Sequence, residues 1–159
     1  MDLDQIEFKK IIEFLSSENF HIDKDFIPKS IGDGQSNPTF LIKDERKNYR
    51  VLRTQPIGDL ARGAHRVDRE YSVLMALSKK GFECPKPFAL CNDPELIGRM
   101  FYVMDFEEGD INFDPFLKNE NFENKQKIYK SLAEVLGRLH GYNIDELGLS
   151  FKKNQGFMK

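Results

Sequence analysis

The apolar positions change period several times along the chain, and each change marks an element. Across residues 2–15, Leu3, Ile6, Ile11, Phe14 and Leu15 recur near helical spacing, with acids and lysines between them. This predicts an amphipathic helix, capped by Asp2, that covers a hydrophobic face as an accessory element. Three short extended segments follow: Phe26–Ile31, Thr39–Lys43 and Tyr49–Thr54. The first ends at a pair of glycines, the second at the polar turn "DERKN", and the third before Pro56. Aromatic and branched residues on either side of polar turns predict an antiparallel meander.

From Ala64 to Lys80 the period is helical. Val67, Tyr71, Leu74 and Leu77 form one stripe, and Gly81 supplies a stop. "PFALCN" and "MFYVMDF" then predict two more strands around the turn "DPELIG". Residues 107–124 are polar and interrupted, which predicts a linker with a short helix. A longer helix is predicted over residues 123–140, with Ile128, Leu132, Val135, Leu136 and Leu139 on its apolar side. The organisation expected is an accessory helix over residues 1–20, a small lobe over 21–106, and a linker with the start of a second lobe over 107–159.

Composition narrows the function classes. The chain has 159 residues, enough for one compact domain or two small lobes, with 40% hydrophobic and 31% charged residues. A net charge of -2 without a basic stripe speaks against a general nucleic-acid binder. No apolar run reaches transmembrane length and the acidic N-terminus is not a secretory signal, so no membrane partner and a cytoplasmic location are expected. Cys84, Cys91 and three scattered histidines do not make a structural zinc set.

Gly32 and Gly34 raise the first chemical question. Glycines this close let a backbone approach an anion through its amides, and they also make ordinary hairpin turns. The motif is neither a full Gly-x-Gly-x-x-Gly nor a Walker loop, and it lies between two strands, which speaks against a dinucleotide fold. Arg53 on the third strand and Glu70 on the next helix could each be a solvated surface residue. Together with the glycine hairpin, they stand in the order of a kinase-like nucleotide site. Asp105, Glu107, Glu108 and Asp110 form an acidic cluster that could receive a metal or a cationic substrate, or simply be a solvated link. Tyr102 and Met104 read as packing residues.

The segments "GDGQSNPTFLI", "YRVLRTQPIG", "AHRVDREYSVLMAL", "PKPFALCNDPELIGRMFYVMDFEEG" and "LGRLH" resemble the aminoglycoside phosphotransferase and choline kinase superfamily. Within it they look most like the phosphotransferase-like domain attached to some acyl-CoA dehydrogenases. The resemblance implies an α+β fold: a protein-kinase-like small lobe with a five-stranded antiparallel sheet and its helix, then the first helix of an incomplete large lobe. It implies that Gly32, Asp33, Gly34, Gln35, Ser36 and Asn37 form the nucleotide loop. Arg53 takes the place of the usual strand lysine and Glu70 is its partner. Val103, Met104, Asp105 and Phe106 resemble the hinge that meets adenine. His65 lies in what looks like a subfamily marker, with a packing or phosphate-side role.

The departures matter as much. Arginine replaces lysine, the loop lacks a third glycine near Asn37, and no His-Gly-Asp segment follows the "LGRLH" helix. No catalytic or metal-binding residue is therefore assigned, and the chain alone is expected to be inactive. The intact parent is expected to use ATP and magnesium on an unknown small-molecule hydroxyl acceptor. An incomplete lobe would also expose a face capable of self-association. The alternative reading is a non-catalytic interaction module built from a kinase-like lobe.

Overall fold

The computed structural model describes residues 3–32, 37–58 and 64–149. Helix α1 spans Gln5–Ser17, β1 Lys29–Ser30, β2 Thr39–Lys43 and β3 Tyr49–Thr54. Helix α2 spans Val67–Lys79, β4 Pro87–Cys91, β5 Phe101–Asp105 and α3 Phe122–His140. The strands form one antiparallel sheet in the order β1-β2-β3-β5-β4. Two compact units result, Met1–Glu107 and Glu108–Lys159.

Several boundaries differ from the sequence expectation for local reasons. Helix α1 is capped by Asp4, not Asp2. Asp4 accepts from the Glu7 amide at 2.7 Å while Glu7 reaches back to the Asp4 amide at 3.3 Å, a reciprocal capping box. Strand β1 keeps only Lys29 and Ser30 of the segment Phe26–Ile31. Pro28 has no amide to donate, and Phe26 turns instead onto the ring of Tyr49 at 6.2 Å. Helix α2 starts at Val67 because His65 has φ +53, which no helix accommodates. Its stop is as expected: Gly81 has φ +74, and the amides of Gly81 and Phe82 close back on Ser78 and Leu77.

The sheet separates two kinds of side chain. Phe40, Ile42, Leu52, Ala89, Cys91, Phe101 and Val103 form a buried cluster with Phe8, Ile11 and Leu15 of α1. Ile11 and Leu15 are fully buried, so α1 is an integral part of this core. Helix α2 leans on β4 and β5, and its Tyr71 ring meets Tyr102 edge-on at 6.0 Å.

In the second unit, α3 begins at Asn121, whose side chain accepts from the Asn124 amide at 2.9 Å. None of its residues is buried; Ile128, Val135 and Leu139 are half-buried, and Leu132 and Leu136 remain 52% and 41% exposed. Among the described residues, no helix is long and apolar enough to cross a membrane.

Candidate functional site

Strand register places the candidate residues in rows. Because side chains alternate along a strand, residues paired across strands share a face. Thr39 pairs with Arg53, and Arg53 with Tyr102. Two residues along, Leu41 pairs with Val51 and Val51 with Met104. Both rows lie on the face opposite the α1 core, since Phe40, Leu52 and Val103 occupy the intervening positions. A polar row therefore lies beside an apolar one.

The polar row closes into a ring of hydrogen bonds. Arg53 donates from Nε to Glu70 Oε2 at 2.6 Å and from Nη1 to Thr39 Oγ1 at 3.0 Å. The Thr39 hydroxyl donates to the Asn37 carbonyl at 3.0 Å. The Asn37 side-chain amide donates to Glu70 Oε1 at 2.8 Å, completing the circuit. Arg53 and Glu70 are thus brought into direct contact across 17 positions of sequence. Their side chains are 29% and 35% exposed, so the pair faces solvent while being held from behind.

Tyr102 adds a third donor to Glu70, its hydroxyl lying 3.1 Å from Oε2. Burial, and next the neighbouring Glu70 charge, push the Tyr102 phenol far above the ordinary tyrosine range. A raised folded-state value contributes stability that is complete below the unfolded value near 10 and is lost as pH rises above it. An absorbance titration is therefore expected to show a late phase above the ordinary tyrosine range. Tyr102 ionises only as the fold opens, along with Tyr71, which burial also raises. Tyr102→Phe should shrink the late phase by one phenol; an unchanged late phase would contradict this placement.

The other candidates separate. Gly32 has φ +87 with open space where a side chain would begin, so backbone conformation is what requires glycine there. The Ile31 amide meets the Thr39 carbonyl at 2.9 Å, so seven residues of sequence separate the paired positions, more than a tight hairpin turn holds. Asp33, Gly34, Gln35 and Ser36 lie outside the described residues. Asn37 is described, and both polar atoms of its side chain are engaged. Val103 is buried and paired on both sides, with Leu52 and Ala89.

Met104 belongs to the apolar row. Asp105 is directed elsewhere: its carboxylate pairs with Arg50, and its amide donates to the Lys86 carbonyl at 2.9 Å. Arg50 in turn holds Asp44 at 2.8 Å. Burial raises the Asp44 carboxyl, but hydrogen bonds from Asn48 and Arg50 outweigh it and keep it below the usual range. Phe106 follows the last paired residue and contacts the Tyr49 ring at 6.0 Å. Among the described residues, no group of three His, Cys, Asp or Glu side chains could hold a metal ion.

Three contributors were not singled out by residue pattern. Thr39 and Tyr102 become visible once the hairpin register is known, because they flank Arg53 on one row. His65 Nδ1 lies 3.0 Å from Asn37 Oδ1, a contact with no local sequence signal.

Comparison with known proteins bears on the family and the fold. A model of the phosphotransferase enzyme family matches residues 28–156. The chain is 46% identical over 129 residues to a "probable acyl-CoA dehydrogenase IBR3" of Arabidopsis thaliana, covering 78% of this chain and 16% of that protein. It is 40% identical over 116 residues to human acyl-CoA dehydrogenase family member 11, covering 73% of this chain and 15% of the relative. A crystal structure of a Ralstonia eutropha protein classed as an aminoglycoside phosphotransferase superposes with a TM-score of 0.67 at 27% identity. That match covers 90% of this chain and 40% of the other.

Proposed function

The chain belongs to the phosphotransferase enzyme family, and from that membership we propose that it forms the nucleotide-binding lobe of an ATP-dependent phosphotransferase acting on a small hydroxyl compound. Its five-stranded sheet with α2 has the architecture of a protein-kinase-like small lobe. The chain spans about one sixth of the curated relatives it matches, so the activity of the whole protein belongs to the proposal.

The observation that carries it is the closed ring around Arg53 and Glu70 beside the apolar row of Leu41, Val51 and Met104. A nucleotide has the same division, with charged phosphates and a flat apolar base. The Arg53 guanidinium presents a planar fork that suits phosphate oxygens while Glu70 fixes its direction. The apolar row suits a purine face. The loop beginning at Gly32 is the proposed phosphate cradle, and the backbone of the hinge segment ending at Phe106, other than the Asp105 amide already held by Lys86, supplies the proposed base contacts. Bound ATP would supply the phosphoryl group to be transferred; Arg53 would counter its charge and hold it in place.

The side chains that would hold magnesium are proposed to belong to the large lobe of the intact parent. The sequence holds no His-Gly-Asp segment, so the aspartate that would orient the acceptor hydroxyl is proposed to come from the remainder of the protein. Calorimetric titration of the chain with ADP tests the reading. Binding is expected in the weak range of roughly 0.1–1 mM, with Arg53→Met weakening it about tenfold. No binding by the wild-type chain, or equal binding by the variant, would overturn it.

A further inference from the structure

His65 belongs to no regular element, yet its surroundings hold it closely. Its φ of +53 is a left-handed conformation that a residue with a β-carbon adopts only against a steric cost. Gln55 fixes the backbone there, donating from Nε2 to the His65 carbonyl at 2.9 Å. Gln55 is itself clasped to Met100, whose amide donates to Gln55 Oε1 at 3.1 Å and whose carbonyl accepts from the Gln55 amide at 3.0 Å. This anchoring sets His65 Nδ1 against Asn37 Oδ1 at 3.0 Å.

Glu70 settles the orientation of the Asn37 amide. Its carboxylate can only accept, so the Asn37 NH₂ group faces it, donating at 2.8 Å, and Oδ1 is turned to His65 Nδ1. The reversed amide would set oxygen against the Glu70 carboxylate. Glu70 then has Oε1 held by Asn37 and leaves Oε2 to Arg53 and Tyr102. We infer that His65 is a positioning residue for the nucleotide site, acting through Asn37 to set Glu70 and thereby Arg53.

The inference deepens the nucleotide reading above and rests on it. It also reassigns Asn37. With both polar atoms of its side chain engaged inside the protein, Asn37 acts as a brace behind the loop, and phosphate contacts fall to backbone amides and Arg53. A further consequence is chemical: the neutral imidazole of His65 must carry its proton on Nδ1, because Asn37 Oδ1 can only accept.

Two substitutions separate backbone from donor. His65→Gly relieves the left-handed strain but removes the donor. His65→Asn tolerates that backbone and places an amide N–H where Nδ1 stands. In the full chain, His65→Gly is expected to keep or raise the melting temperature while weakening ADP binding about fivefold to tenfold, the scale of one hydrogen bond. His65→Asn should bind ADP within about twofold of wild type on the same scale. Long-range nitrogen–proton correlation of the wild type should find neutral His65 protonated on Nδ1. Wild-type affinity in His65→Gly, equal losses in both variants, or a proton on Nε2 would overturn the inference. Failure of the wild-type chain to bind ADP would overturn the nucleotide reading, and the role resting on it, while the imidazole spectrum would still report on the Asn37 bond.

Discussion

Glu70→Ala is expected to destabilise the first unit by about 2–4 kcal/mol and to weaken nucleotide binding about tenfold to a hundredfold. Glu70 accepts from Arg53, Asn37 and Tyr102, at 2.6, 2.8 and 3.1 Å. Removing it strands three donors at once, and the Tyr102 hydroxyl lies in a buried residue that water does not readily reach. The Arg53 contact contributes less than a buried ion pair, since both partners are about a third exposed and solvent screens them. Most of the stability loss should therefore come from Tyr102 and Asn37, and most of the affinity loss from a freed Arg53. Glu70→Gln keeps one acceptor oxygen and should fall between. Urea unfolding and ADP titration of the three proteins check the order. A stable Glu70→Ala chain with undiminished affinity would show that the ring has no part in the site.

Glu7→Ala is expected to cost about 3 kcal/mol, although Glu7 lies in the first turn of α1 and far from the proposed site in sequence. Arg99 is only 2% exposed, and its one hydrogen bond among those resolved is Nη2 to Glu7 Oε2 at 2.9 Å. Among the described residues, its Nε and Nη1 have no partner. Removing Glu7 leaves a buried charge without its counterion and also opens the capping box of α1. Arg99→Met should be much milder, within about 1 kcal/mol, because a long apolar chain suits the same space without needing desolvation of a charge. Chemical denaturation of the two variants distinguishes these cases. A Glu7→Ala loss below that of Arg99→Met would mean the guanidinium is solvated.

Much of this molecule was legible from period alone. The alternation in "TFLIK" and "YRVLRT" and the stripe from Val67 to Leu77 specified a sheet and helix whose existence needed no tertiary information. The resemblance named Arg53 and Glu70 as partners, and they are in contact. What pattern could not show was how side chains divide between neighbours. The resemblance offered Asp105 as part of a hinge meeting adenine through backbone groups, and it gave no sign that register sets its carboxylate against Arg50. Asn37 stood in a plausible phosphate loop, but its amide is shared between a helix 33 positions away and a histidine 28 positions away. Such choices depend on backbone angles like the φ of His65, which no local composition announces. The start of β1 was misjudged for a simpler reason: Pro28 interrupts a segment whose apolar content otherwise suits a strand.

The central claim is that nucleotide binds on the face carrying the Arg53 ring and the row of Leu41, Val51 and Met104. Amide and methyl spectra of the labelled chain, recorded while ADP is added, test it most directly. The account predicts that shifts concentrate at Gly32, Thr39, Leu41, Val51, Arg53 and Met104, leaving the α1 side of the sheet unchanged. On that side a groove of about 470 Å³ lies between α1 and residues 24–28, lined by Phe8, Ile12, Phe26 and Ile27. Shifts confined to that groove, or none at millimolar ADP, would contradict the account.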